Sequence, residues 1–136
     1  MCFIDRDLGV HVDGFIAQAA HTVVIGGKAD GKKAAVILAA YNALQAGLRL
    51  LKPGFTNDNV TEVIAKVCEV YKSNPLEGVL SHELKKHLID ANNVIINKEN
   101  FEQAVETHEF AINEVFALDV IVSTGEGKAK EVFELH

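Results

Sequence analysis

The stretch RDLGVHVDGFIAQAA holds Asp7, His11 and Gln18, and two further polar residues, His82 and Asp119, stand beside apolar neighbours later in the chain. Carboxylates and imidazoles hold divalent cations and move protons, so this set has the chemistry of a metal pocket or an acid–base pair. Gln18 differs in kind. Its carboxamide donates and accepts hydrogen bonds but offers a single neutral oxygen, a poor metal ligand beside a carboxylate. His82 lies in GVLSHELKKHLID, where a lone histidine near a strand serves structure as readily as ligation. Asp119 sits inside EVFALDVIV between Leu118 and Val120. An ionised carboxylate buried there costs several kcal/mol without a partner. It must meet a cation, a metal or hydrogen-bond donors, or carry a proton, and a satisfied buried aspartate at a strand end meets the same demand.

The elements that must position these groups begin with a hairpin. Asp13-Gly14 is a strong turn signal, because a type I′ turn needs positive φ at both central residues. With that turn, Val12 faces Phe15, Val10 faces Ala17 and Leu8 faces Ala19 on an apolar face. His11 then pairs with Ile16, Gly9 with Gln18 and Asp7 with Ala20 on the other face, which places Asp7 and Gln18 diagonally, about 7–8 Å apart. Gly26-Gly27 and Asp30-Gly31 break the pattern. A helix is expected over 32–51, with Ile37, Tyr41, Leu44, Leu48 and Leu51 inward, ended by Lys52-Pro53-Gly54. A second is expected over 58–72, capped by Thr56 or Asn57, with Val60, Val63, Ile64, Val67, Val70 and Tyr71 inward. Short strands are expected over 78–84 and 94–96, and the polar segment 98–110 admits a loop or a short helix. The unbroken apolar run 114–122 reads as a central strand covered on both faces. The sum is an α/β or α+β fold, a single domain with helices packed on one side of a sheet.

Composition narrows the function. The 136 residues suffice for one domain with a real core, and 49% are hydrophobic, as in ordinary globular proteins. Thirteen basic against nineteen acidic residues give a net charge of −6, which argues against a chain-wide grip on nucleic acid but leaves room for a local basic patch. Cys2 and Cys68 fit no disulfide or metal spacing, pointing to a reducing compartment. No apolar run approaches the roughly 18 residues of a membrane span and no signal core opens the chain. A soluble cytoplasmic or nuclear protein, with no membrane partner, is the expectation.

Five blocks in order, DLGVHVDGFIAQAAHTVV, LRLLKPG, VTEVIAKV, EGVLSHELKKHLID and VFALDVIVSTGEGKAK, resemble the proliferation-associated protein 2G4 family, which includes the ErbB-receptor-binding protein. Its members are non-peptidase relatives of type 2 methionine aminopeptidase. The resemblance runs from Asp7 to Lys130 and implies the pita-bread fold, in which two αβ halves enclose a central pocket. In the peptidases of that fold, two aspartates, a histidine and two glutamates hold two divalent metals. The resemblance puts the first aspartate at Asp7, the second at Gln18, the histidine at His82 and the first glutamate at Asp119. The second glutamate would lie beyond His136. Residues 1–136 are thus expected to form a partial pita-bread domain, a fragment or a reduced member of the family, with an exposed sheet face or edge near Asp119 that favours self-association.

A bridging carboxylate gives two anionic oxygens to two cations, whereas Gln18 gives one neutral oxygen. The reading that follows is a pseudoenzyme with a degenerate pocket (Asp7, Gln18, His82, Asp119), no catalytic residue, no bound metal and no cofactor. The resemblance implies growth regulation through RNA and ribosome association, ribosomal RNA processing, translation control and transcriptional co-regulation, in cytoplasm, nucleus and nucleolus. Lys85, Lys86, Lys128 and Lys130 are the candidate phosphate contacts, and solvated surface lysines are the plainer account of each. The alternative is a metal-dependent methionine aminopeptidase or related hydrolase that binds metal through Asp7, His82 and Asp119 despite the amide. An inert module with a leftover pocket is a third.

Overall fold

Asp13 and Gly14 both take positive φ, 51° and 85°, and turn β1 (Cys2–Val12) back into β2 (Phe15–Ile25). The computed structural model describes residues 2–100 and 103–129. Pairing follows the expected register throughout, with Val12 opposite Phe15, Gly9 opposite Gln18 and Asp7 opposite Ala20. Thr22 donates its hydroxyl to Asp5 Oδ1 at 2.6 Å across the polar face. Beyond the turn, the chain of β4 closes on the hairpin tip: the His87 amide donates to Gly14 O at 2.8 Å. A Cβ at position 14 would fall 2.3 Å from the His87 ring, so only glycine permits that approach as well as the turn.

The helices are α1 (Gly31–Leu48) and α2 (Asn57–Val70), close to the expected bounds. Their inward faces differ from the expectation. In α1 the buried residues are Ala39, Ala43 and Gly47, while Tyr41 and Leu48 are 53% and 44% exposed. Apolar residues occur all round this helix, so large-residue periodicity cannot pick the buried face. Small residues win because they let α1 approach closely: a Cβ on Gly47 would lie 3.0 Å from Leu118 and 3.3 Å from Val60. In α2, Val60, Ile64 and Cys68 are fully buried and Val70 is 78% exposed. Cys68 takes the inward position four residues after Ile64, which leaves Val70 on the far side. Thr56 caps α2; its amide donates to Asn59 Oδ1 at 3.0 Å, half of a capping box.

The remaining strands, β3 (Asn74–Pro75), β4 (Leu80–Leu84), β5 (Val94–Ile96), β6 (Val115–Ala117) and β7 (Val122–Ser123), are short. They do not join the hairpin in one sheet. Among the described residues there are three: β1-β2, β3-β7, and β5-β4-β6. The expected central strand over 114–122 is two strands with a gap, and β6 is an edge. The run changes partner, since Val115–Ala117 pair with β4 while Val122–Ser123 pair with β3. Ser81 spans the gap: Asp119 N donates to its hydroxyl at 2.8 Å, and that hydroxyl donates to Asp119 O at 3.3 Å. Nor is the run covered on both faces. Phe116, Leu118, Val120 and Val122 pack on the core, whereas Val115, Asp119 and Ile121 are exposed. The segment 98–110 is irregular where it is described.

The core joins Ala43 of α1, Val60, Ile64 and Cys68 of α2, Ile95 of β5 and Phe110. Its polar anchor is Asn57, only 2% exposed at the start of α2. Asn57 Nδ2 donates to Val94 O at 3.0 Å and Glu106 O at 2.9 Å, and Oδ1 accepts from Asp58 N and His108 N at 3.0 and 2.9 Å. All four valences of the amide are filled. Asn57→Ala strands four buried backbone groups, each worth about 1–3 kcal/mol when unpaired and only partly recovered by water. Chemical denaturation should show a loss of about 3 kcal/mol with the m value unchanged; a loss below about 1 kcal/mol refutes the anchor role.

Candidate functional site: a degenerate metal pocket

The hairpin carries Asp7, His11 and Gln18 on its polar face because strand residues two apart point the same way. Opposite stands the outer face of β5-β4-β6. His82 of β4 pairs directly with Ala117 of β6 and Val94 of β5, and paired residues share a face. Asp119 follows Ala117 by two residues and is held by the Ser81 clasp. The sequence-derived positions therefore do converge from two separate sheets, although they do not form one compact cluster.

Two carboxylates sense each other. Asp119, expected to be buried, is instead exposed, yet the protein packed round its carboxyl raises its pKa and the charge of Asp7 raises it further. Gln18 and His11 line a neighbouring cleft of about 380 Å³, walled also by Gly9, Ile16, His87 and Ile89. His87 was not among the sequence candidates. Its signal was available only in part: it follows His82 by five residues, but the turn that bends it onto Gly14 depends on a φ of 64°, which the residue type does not announce.

The residues present do not fit a two-metal centre. Among the described residues no group of three or more His, Cys, Asp or Glu is placed to hold an ion. Two divalent cations would meet the charges of Asp7 and Asp119 alone, with Gln18 adding a neutral dipole. Asp119 is one methylene shorter than glutamate, which draws its carboxylate back. His82 Nδ1 is buried with no hydrogen-bond partner among the described residues, whereas a ligating imidazole ordinarily has its second nitrogen held by an acceptor. No hydrolytic step can be routed through such a centre here.

Of the candidate phosphate contacts, Lys85, Lys86 and Lys128 are exposed, and Lys130 lies outside the described residues. They are not one patch. Lys85 and Lys86 follow the end of β4, where Lys85 Nζ lies 3.5 Å from Glu83 and Lys86 Nζ lies 5.1 Å over the Phe15 ring. Lys128 sits by the loop before β4, near enough to Glu77 to help hold that carboxyl below its usual pKa, with a hydrogen bond from Lys98 as the main cause.

Pairing of short strands against two helices, with a polar pocket facing away from them, defines one αβ unit of the pita-bread class. Residues 3–130 match the model of metallopeptidase family M24, and the chain belongs to that family. Within it, the chain belongs to the proliferation-associated protein 2G4 family. It is 47% identical over 129 residues to proliferation-associated protein A of Dictyostelium discoideum, covering 92% of this chain and 34% of that protein. It is 49% identical over 125 residues to ErbB-3 binding protein 1 of Arabidopsis thaliana, covering 91% of this chain and 32% of that one. The chain thus spans about a third of the length of these relatives. A solved structure of a thermophilic Arx1 superposes with a TM-score of 0.84 at 24% identity, over 98% of this chain and 42% of that one, and confirms the fold.

The Asp7–Asp119 pair gives a measurable pH signature. A raised carboxyl pKa means that the native state binds protons more tightly than the unfolded chain, so this contribution to stability is greatest below the unfolded value and fades as pH rises through the native pKa. Titration by NMR should place the Asp119 carboxyl above its model value of 3.8. Asp7→Asn should lower it, and an unchanged Asp119 titration in that variant would show that the two carboxylates do not interact.

Proposed function

We propose that this chain is a pseudoenzyme, a binding protein built on the metallopeptidase fold and without peptidase activity. The observation that carries this reading is Gln18. It occupies the position at which the peptidases of the fold hold a metal-bridging aspartate, and it leaves Asp7 and Asp119 as the only anionic ligands. Activated water is the nucleophile of such peptidases, so loss of the ion pair removes the chemistry while sparing the fold. The retained repulsion between Asp7 and Asp119 supports the same view, because a resident cation would hold both groups ionised at low pKa.

In place of catalysis, we propose the role that the family resemblance implies: growth regulation through RNA and ribosome association, in ribosomal RNA processing and translation control, with transcriptional co-regulation. The protein would then work in cytoplasm, nucleus and nucleolus, with RNA, ribosomes and regulatory proteins as partners and no membrane. Lys85, Lys86, Lys128 and Lys130 would supply phosphate contacts at two separate places, which suits a flexible strand crossing the surface better than one binding groove. Self-association through the open edge of β6 is part of the same proposal, supported by exposed Val115 on that strand.

Metal analysis after dialysis against cobalt or manganese tests the first claim. Less than one equivalent per chain is expected; two equivalents, with release of N-terminal methionine from a peptide, would restore the peptidase reading. Salt dependence tests the second. If all four lysines meet phosphates of a single strand, log K should fall against log salt with a slope of about −3. Replacing all four with Gln should flatten that slope to near zero, and an RNA affinity indifferent to salt would remove the phosphate contacts from the account.

A further inference from the structure

The hairpin that lines the pocket with one face leaves its other face bare. Leu8, Val10, Val12 and Phe15 are 71%, 63%, 70% and 66% exposed, with Ala17 and Ala19 between them and also exposed. A sheet face of this composition is ordinarily covered by a second layer, and an open apolar patch this large marks an interaction site. Charge narrows what could cover it. The chain carries nineteen acidic residues and a net charge of −6, yet no acidic residue points from this face. Its polar members are Arg6 and His21, paired across the strands. At the opposite end, beyond the turn, Lys86 caps the Phe15 ring. Neither Arg6 nor Lys86 forms an ion pair among the described residues.

We propose that this face docks an amphipathic helix of a protein partner, apolar along one stripe and acidic at both ends. Arg6 to Val12 spans about 20 Å of strand, the length of about fourteen helical residues. Apolar side chains at helical spacing would cover Leu8, Val10, Val12 and Phe15, while terminal carboxylates would meet Arg6 with His21 at one end and Lys86 at the other. A second copy of the chain is a poorer occupant. Packed face to face in antiparallel sense, two hairpins would set Arg6 of each against Lys86 of the other, and in parallel sense they would set Arg6 against Arg6. An anionic bilayer would attract the same cations but repel the acidic remainder of the chain. The inference stands apart from the RNA reading, since phosphates have no use for the apolar strip.

The test uses the full chain and two labelled fourteen-residue helical peptides that share a leucine stripe, one with glutamate pairs at both ends and the other with lysine pairs. Fluorescence anisotropy should show the glutamate peptide binding at least about tenfold more tightly, a gap of about 1.4 kcal/mol. Val10→Ser combined with Phe15→Ser should weaken it about tenfold or more. Both side chains are exposed, so the core is untouched and the circular dichroism spectrum should not change. Arg6→Glu should narrow or reverse the preference between the peptides, which a merely sticky surface would not do. Equal binding of the two peptides overturns the proposal, as does indifference to Arg6→Glu. So does a homodimer that the Val10/Phe15 variant dissociates, or binding to phosphatidylserine vesicles that this variant abolishes while peptide binding persists.

Discussion

Everything in this small fold hangs on how buried backbone groups are satisfied when the strands are too short to do it. Strands of two, three and five residues leave many amides and carbonyls without ladder partners, and a buried unpaired group costs about 1–3 kcal/mol. Two asparagines meet that need. Asn57 ties the start of α2 to Val94 and to the 106–108 loop. Asn97, 1% exposed, donates to Leu76 O and Ile121 O and so ties the end of β5 to the segments flanking β3 and β7. Thr61 adds a 2.6 Å bond from α2 to Ile96 O. With the loops held in this way, the helix pair and the strands share one core instead of sliding on each other.

That arrangement decides where the polar pocket falls. Because Phe116, Leu118 and Val120 are drawn to the core, Ala117 and Asp119 must point outward, toward the hairpin. Ser81 fixes the Asp119 backbone at the point where the run changes its pairing partner. The fold thus keeps a carboxylate and an imidazole facing Asp7 whether or not a metal is held there. Loss of chemistry and retention of shape are compatible because the groups that build the shape, Asn57, Asn97 and Ser81, are not the groups that would bind ions.

A second fastening stabilises the loop that leads into β6. The His108 ring lies 2.9 and 3.1 Å from the two oxygens of Glu114. Burial acts to raise the Glu114 pKa, but the Ala111 amide, the His108 ring and the charges of His108 and Lys85 outweigh it and hold the carboxyl below its usual value. This contribution is present above the unfolded pKa and is lost as pH falls through the native one. It is opposite in sign to that of Asp119, so the two carboxylates on either side of β6 pull the acid limb of stability in different directions.

The amino-acid sequence alone fixed the hairpin, residue for residue, because a two-residue turn and strict alternation leave a single register. It also fixed both helices, through their caps and breakers, and the replacement of a bridging carboxylate by an amide at position 18. It did not reveal which side of α1 is buried, since that depends on how closely α2 approaches Ala43 and Gly47. Nor did it reveal that the apolar run to Val122 divides between β4 and β3, that Asp119 faces outward, or that His87 joins the cleft. Those outcomes rest on contacts between segments distant in the chain, and local pattern carries no record of such partners.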